Sequence, residues 1–365
     1  MTRQGAAAVA ILLFANVAVL AQSAQPAPPF TEQAPTYTTG DTGVSDRDLQ
    51  KIAATAVPPT LALQAQAQFK LSVSVANNPA AQTLGAKPAA TLLEGCDPQA
   101  AAFNWFDKGA VSPVKDQKNC GDCFVFAATA AFEASWYLQN HERISVSEQQ
   151  LLDCAGAGNC SGGWHGDVFN FLKSKGVTDD TKVPYTGASS GGCKVNDHPY
   201  TAVNWSYVDQ SGATASLKNV KQALCAHGPV VSAVYATRSF QRYVSGVFNE
   251  FAEGDGTSSV NHDVLIVGWD DQKNAWRIKN SWGDKTWGEN GYMWIRYRSN
   301  YIGFGAAWVD ALKRPGVQDS AKAQASAKQI NIDSAKSVAD ALKGTDLKFK
   351  SLPASQILNS LGIRF

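Results

Sequence analysis

The sequence has little net charge and few charged residues. Of its 365 residues, 32 are Lys or Arg and 31 are Asp or Glu, which gives a net charge of +1 at pH 7. Without an excess of one sign, there is no electrostatic reason for the chain to bind nucleic acid or an anionic membrane. We therefore expect no nucleic-acid partner.

Long hydrophobic runs are also missing, except at the N-terminus. There Arg3 precedes an apolar run from Ala6 to Leu20, and small residues and prolines follow. This pattern predicts a signal peptide over residues 1–21, cut after Ala21 or Ser23; an uncleaved anchor is the alternative. We expect a monomer that is exported, either secreted or periplasmic, with no membrane partner after cleavage.

Aromatic residues are nearly absent from residues 22–97, which are rich in Ala, Pro, Gln and Thr. This composition predicts a linker or pro-segment that buries little, with a short helix in "DRDLQKIAATA" and a strand in "QFKLSVSVA". Aromatics are frequent over the predicted domain, 98–312. The C-terminal extension, 313–365, is rich in Ala, Lys and Ser, with a helix near Ala327–Leu342. It is a removable segment, a partner-binding helix or an export aid.

Inside the domain, the apolar pattern changes along the chain. Helical periodicity occurs in "CFVFAATAAFEASWYLQ", in "SVSEQQLLDC", where Ser147 can cap, and in "DVFNFLKSKG". Later runs are short, β-branched and bounded by Gly, Asp and Asn, as in "PVVSAVYA", "HDVLIVGWD", "AWRIKNSWG" and "GYMWIRYR". These patterns predict an α+β protein of two lobes.

The seven cysteines are an odd number, so in an exported chain at least one is free or bonded to another chain. Cys120 and Cys123 form "CGDC", which fits a redox pair, half of a metal site, a structural pair or a nucleophile beside a disulfide. An oxidoreductase lacks its βαβ context here, and zinc lacks a second close pair. We expect no metal and no cofactor.

Cys123 begins a helical run, where the helix dipole favours a thiolate nucleophile; a buried core residue or a structural disulfide is the alternative. A nucleophile needs a base, and His262 begins a buried β-run whereas His165 lies in a Gly-rich loop. Asn280 ends the next predicted strand, where its amide can orient the imidazole, and Trp282 can shield that contact. Gln117 lies close enough to assist the Cys123 backbone N–H as an oxyanion hole.

The order Gln117, Cys123, His262 and Asn280 resembles that of papain-like cysteine peptidases, the cathepsin family. His262 and Asn280 lie 139 and 157 residues after Cys123. Stretches such as "FNWFDKGAVSPVKDQ", "CSGGW" and "WGENGYMWIR" extend the resemblance over about Phe103 to Asp310. It implies a helical N-terminal lobe and a β-barrel-like C-terminal lobe, with the active-site cleft between them, and a peptidase acting on proteins or peptides.

The resemblance also implies residue roles. Cys120 would pair with Cys160 and Cys154 with Cys193, leaving Cys123 free. Cys96 and Cys225 are left over, and the resemblance does not assign them; a bond between them is one option. The substrate backbone would bind Gly162 and Gly163. The residues expected to line the pocket for the substrate's P2 side chain are Trp164, Ala233, Val260 and Ala307. All are apolar, which implies a hydrophobic or aromatic P2 residue and disfavours an acidic one.

Two positions depart from the family pattern. Phe124 stands where the family usually has Trp, and Asp122 stands where it usually has a small residue. A carboxylate beside Cys123 is expected to raise the thiol pKa and to narrow the pH profile of activity or shift it towards acid. These departures are the only support for the competing hypothesis, a catalytically silent papain-like fold that binds proteins.

Overall fold

A computed structural model describes residues 36–59, 61, 92–209, 214–250 and 259–311. The helices are α1 (Leu49–Ile52), α2 (Cys123–Asn140), α3 (Glu148–Cys154), α4 (His165–Ser174), α5 (Leu217–His227) and α6 (Arg238–Gln241), with a 3₁₀ turn at Ser299–Tyr301. The strands are β1 (Thr36–Thr39), β2 (Ala102–Asn104), β3 (Gly158–Asn159), β4 (Gly162–Gly163), β5 (Ala202–Tyr207), β6 (Val230–Val234), β7 (Tyr243–Phe248), β8 (His262–Asp270), β9 (Ala275–Lys279), β10 (Tyr292–Arg296) and β11 (Phe304–Ala311).

The helical region of the domain follows from its sequence pattern. Helix α2 begins at Cys123 and is buried along its first fourteen residues. Helix α3 begins after Ser147, whose hydroxyl accepts from the Gln150 N–H, so the predicted cap is confirmed. The predicted "DVFNFLKSKG" helix is α4, but it starts earlier, at His165.

The β-rich region forms one sheet in the order β1-β7-β10-β9-β8-β6-β11-β5, and β2 pairs with β8. Neighbours are antiparallel except β7 and β10. Among the described strands this order is an open path, so the barrel-like form of the second lobe stays a prediction, whereas the α+β class is confirmed. Helix α5, which the strand patterns did not predict, packs against β6, β8 and β11.

Residues 36–59 and 61, called here the leader, differ from the expected linker. Strand β1 extends the sheet by pairing with β7, and Val44, Ile52 and Leu61 are buried. The helix expected in "DRDLQKIAATA" is only the four residues of α1, capped by the Asp48 side chain. The strand expected in "QFKLSVSVA" and the helix expected near Ala327–Leu342 lie outside the described residues, as do the signal peptide and the C-terminal extension.

Three disulfides brace the fold. They join Cys120 to Cys160, Cys154 to Cys193 and Cys96 to Cys225. The first two lie in and around the helical region, and the third ties the segment after the leader to α5. Cys123 is the free cysteine of the described residues. Because Cys120 is bonded to Cys160, the "CGDC" stretch does not form a disulfide of its own.

Candidate active site

The free thiol and the candidate base come from two different elements. Cys123 is the first residue of α2, and His262 is the first residue of β8; both are fully buried. The α2 N-terminus offers unpaired N–H groups to an anion, and the paired strand β8 holds the imidazole rigidly. Helix α2 packs against β8, so these two residues begin contacting elements although they are far apart in the sequence.

The His262 ring is fixed on two sides. Its Nε2 lies 2.8 Å from Asn280 Oδ1, and the Trp282 ring stacks on it with centroids 4.6 Å apart. Asn280 Oδ1 also accepts from the Ser281 N–H at 2.8 Å, which fixes the amide orientation. An amide oxygen only accepts hydrogen bonds, and it can accept two. The hydrogen of the contact between His262 and Asn280 is therefore carried by His262 Nε2. The other ring nitrogen, Nδ1, is thereby left as the one available to a thiol.

Gln117 is buried beside this pair, and its side chain is held in one orientation. Its Oε1 accepts from the Ser281 hydroxyl at 2.7 Å. Its Nε2 donates to the carbonyl oxygens of Cys120 at 2.7 Å and of Ile52 at 2.9 Å. Ile52 belongs to the leader, so a leader carbonyl accepts from the amide that sequence reasoning assigns to the oxyanion hole.

The leader covers the thiol itself. Thr55 Oγ1 lies 3.4 Å from Cys123 Sγ. On β4, Gly163 N–H donates to Ala54 O at 3.3 Å, and Gly163 O accepts from Ala56 N–H at 2.9 Å. Thr55 thus forms a parallel bridge with Gly163, one of the two glycines expected to bind a substrate backbone.

Glycine is needed where the leader passes. A Cβ on Gly121 would come within 2.6 Å of Ala54 Cβ and of the Cys160 and Lys51 carbonyl oxygens. Gly162 has φ +123°, a conformation that favours glycine, and Ala54 O would meet any side chain there. These two glycines let the leader backbone approach the site closely.

The expected pocket residues fall into two groups. Trp164, Ala233 and Val260 form one buried cluster with Leu61 of the leader; Phe304 and Tyr301 complete it. Ala307 does not belong to this cluster, because it lies in the main core, opposite Val231 of β6. The register of β11 is irregular between Phe304 and Ala307, and Phe304 belongs to the pocket cluster instead.

The leader leaves both catalytic candidates uncharged. Burial, followed by the negative charge of Asp263, raises the pKa of Cys123 to about 12. Burial lowers the pKa of His262 to about 4, against the opposing effects of Asn280 and Asp263. His262 Nδ1 has no hydrogen-bond partner among the described residues. Thiol and imidazole are therefore both neutral near pH 7.

Asp122, the residue expected to disturb the thiol, is buried and faces Tyr185. Burial raises the pKa of Asp122 to about 8, although the Tyr185 hydrogen bond opposes the shift. The Tyr185 hydroxyl lies 2.9 Å from Gln117 O and 2.9 to 3.0 Å from the two Asp122 oxygens. One hydroxyl hydrogen cannot serve both acceptors, so a protonated Asp122 satisfies the group best. The carboxylate that affects Cys123 is Asp263, which sequence reasoning missed.

A buried thiol at a helix N-terminus, an imidazole oriented by an amide, and a glutamine donor define the class of cysteine hydrolases. The sequence model described as "Papain family cysteine protease" matches residues 99–309. The chain belongs to this family of cysteine proteases.

Comparisons with individual proteins agree with the family. Digestive cysteine proteinase 3 of Homarus americanus is 36% identical over 225 residues, covering 60% of this chain and 68% of that protein. Pro-cathepsin H of Mus musculus is 35% identical over 226 residues, covering 59% and 65%.

Solved structures are similar as well. Digestive procathepsin L 3 of Tenebrio molitor has a TM-score of 0.57 at 26% identity and covers 75% of this chain and 83% of its own. The bromelain protease from Ananas comosus in complex with the E64 inhibitor has a TM-score of 0.52 at 32% identity, with 58% and 99% covered. Within the described residues, no helix combines the length and apolar character needed to cross a membrane.

Proposed function

We propose that this chain is the latent form of an exported cysteine endopeptidase that cuts peptide bonds through Cys123, His262 and Asn280. The observation that carries the proposal is the occupied cleft. Leader residues engage the thiol, the glutamine donor, the Gly163 backbone and the apolar pocket at once. Export is supported by three disulfides and by the signal-like N-terminus.

Removal of the leader exposes the pair and lets the thiolate form beside a protonated His262. The thiolate attacks the substrate carbonyl carbon, and a C–S bond forms. The Gln117 amide and the Cys123 backbone N–H hold the oxyanion. His262 gives its proton to the leaving amine as the C–N bond breaks, and water then hydrolyses the thioester. Asn280 keeps the imidazole oriented through Nε2.

The pocket filled by Leu61 is the candidate site for the P2 side chain. Its lining of Trp164, Ala233, Val260 and Phe304 is apolar, which favours a hydrophobic or aromatic residue. Burial of a leucine-sized side chain there contributes about 1.5–3 kcal/mol. The same burial holds the leader in place before activation.

The test is covalent labelling with a peptidyl epoxide that alkylates activated cysteine thiols, followed by mass mapping. Secreted protein is incubated in acid to remove the leader, and Cys123→Ala is the matched control. Labelling at Cys123, lost in the control, supports the proposal. Trimmed, folded protein that takes up no label would instead favour the catalytically silent binding fold.

A further inference from the structure

The pocket filled by Leu61 has a polar wall as well as an apolar lining. In the sheet, Ala233 of β6 lies opposite Asp263 of β8 and opposite Phe304 of β11. Residues directly opposite each other on paired strands point to the same face. Ala233 and Phe304 belong to the same buried cluster as Leu61, so the Asp263 side chain lies on the pocket face of the sheet.

His165 completes this wall from the helical region. Its ring lies against Trp164, with centroids 4.2 Å apart, and is fully buried. Nδ1 is 2.9 Å from Asp263 Oδ2, and Nε2 is 2.9 Å from the carbonyl oxygen of Gly305. A carbonyl only accepts, so Nε2 carries a hydrogen, and a second proton lies between Nδ1 and Oδ2.

The remaining carboxylate oxygen of Asp263 is an unused acceptor. Oδ1 is buried and has no hydrogen-bond partner among the described residues. Whichever atom holds the proton of the His165 hydrogen bond, Oδ1 carries none. Trp164 Nε1 donates to the Tyr207 hydroxyl at 2.8 Å, and Tyr207 is partly exposed, so water can take its hydrogen. The buried polar atom of this wall that still lacks a partner is therefore the acceptor Asp263 Oδ1.

A buried acceptor without a partner costs free energy, and a ligand that supplies a donor recovers it. We infer that His165 and Asp263 are a specificity-determining pair for the P2 pocket. They favour a side chain that is apolar along its length and ends in a hydrogen-bond donor. Plain apolar side chains of the same shape bind less well, and carboxylates are rejected. This inference rests on the proposed function and sharpens its apolar P2 preference.

The leader fits this reading of the pocket. Leu61 fills the apolar part but has no donor for Asp263 Oδ1. The leader therefore covers the pocket without satisfying its polar wall. A substrate with a suitable donor gains an interaction that the leader does not make.

The test uses the leader-free enzyme and peptide substrates that differ only at the end of the P2 side chain. The pairs are tyrosine against phenylalanine and lysine against norleucine, with glutamate as the carboxylate. We expect kcat/KM to be about tenfold higher for the donor of each pair, as a hydrogen bond to a charged group gives. Glutamate should be the poorest substrate.

Asp263→Asn tests the role of the acceptor. The asparagine oxygen can still accept from His165, but the atom that replaces Oδ1 becomes a donor, so the preference should vanish or reverse. His165→Leu with Asp263→Ala replaces the pair by apolar groups and should favour phenylalanine, which covers the case in which Asp263→Asn does not fold. Asp310→Asn is the matched control, because it alters the His227–Asp310 pair elsewhere; the preference should stay.

Equal rates within both substrate pairs for the unmodified enzyme would overturn the inference, as would a donor preference that survives in Asp263→Asn or in the double variant. Binding of the same peptides to leader-free Cys123→Ala, measured by calorimetry, separates the two proposals. Ranked binding without hydrolysis in the parent enzyme means that only the proposed function fails. Hydrolysis without ranking means that only the pocket inference fails.

Discussion

Two groups of ionisable side chains beside α2 are largely buried, but they differ in the partners that they face. At its start, Cys123 and His262 are fully buried and neutral. Near its middle, the side chain of Glu133 is 2% exposed, yet it faces Lys115 at 3.2 Å. Burial alone favours neutral forms, and an opposite charge within reach favours ionised ones.

The cluster of Lys115, Glu133 and Glu148 shows how burial and opposite charge compete in setting pKa values. Lys115 Nζ lies 2.7 Å from Glu148 Oε1. Burial alone would lower the pKa of Lys115, but the negative charges of Glu133 and Glu148 outweigh burial and raise it. Burial raises the pKa of Glu148 to about 7, even with Lys115 adjacent. Lys279, whose Nζ donates to Ser112, has its pKa lowered to about 8 by burial. We therefore expect Cys123 and His262 to become charged when water or a substrate replaces the leader.

The largest expected effect is on the reactivity of Cys123 when the leader is removed. Alkylation of Cys123 by iodoacetamide should be slow in the intact chain at pH 6, because the thiol pKa is about 12. After leader removal the pKa should fall towards that of activated thiols, and the rate should rise at least about a hundredfold. Rate against pH, with mass mapping, is the measurement. Equal rates before and after removal would show that the leader does not neutralise the thiol.

A smaller effect is expected from breaking the charged cluster. Lys115→Met leaves Glu133 and Glu148 buried without their cation, so the free energy of unfolding should fall by about 3–5 kcal/mol. The loss should be smaller at pH 5 than at pH 8, because burial raises the pKa of Glu148 and its protonation removes one of the uncompensated charges. Urea unfolding at both pH values measures this.

Lys182→Met is the matched control, because it removes an exposed lysine that pairs with Asp197 at the surface. We expect little change in stability there. If Lys115→Met lowered the free energy of unfolding no more than this control does, Lys115 would not be needed to stabilise the buried glutamates.

The effect spread over the widest pH range concerns Asp122, whose pKa is raised from 3.8 to about 8 by burial. The folded chain keeps a proton that the unfolded chain releases above about pH 4, so this residue's contribution to stability falls as pH rises towards 8. The slope is at most about 1.4 kcal/mol per pH unit. Asp122→Asn cannot ionise, and its advantage over the parent should grow from pH 5 to pH 8 in thermal or urea unfolding. A constant difference would refute a protonated Asp122.

Sequence patterns predicted the parts of the fold that depend on local periodicity. The β8 run "HDVLIVGWD" and the Ser147 cap are in the structure as expected. The leader was harder to predict, because its few buried residues, such as Val44 and Ile52, are spaced widely among polar ones. Its contacts depend on a complementary surface that only the folded domain provides.

The candidate site likewise combines residues that sequence motifs identify with contacts that only the fold creates. Cys123, His262, Asn280 and Gln117 could be proposed because the order and spacing of their motifs resemble a known family. The sequence pattern places His165 in a Gly-rich loop, and its contact with Asp263 joins positions 98 residues apart. No local pattern signals such a pair. A histidine two residues after Gly163 and a carboxylate directly after His262 were the available signs.

The pairing of β1 with β7 has a consequence for activation. A cut between the leader and Cys96 would leave two polypeptides joined by non-covalent contacts. These are backbone hydrogen bonds, buried apolar side chains and the ion pairs Arg47–Asp116 and Arg242–Asp41, with no disulfide among the described residues linking the two. Activation would then be a dissociation equilibrium governed by mass action. At low protein concentration the cut leader would dissociate and open the cleft. At high concentration it would stay bound and keep the cut molecules inactive. The same molecule would thus be restrained where it accumulates and active where it disperses.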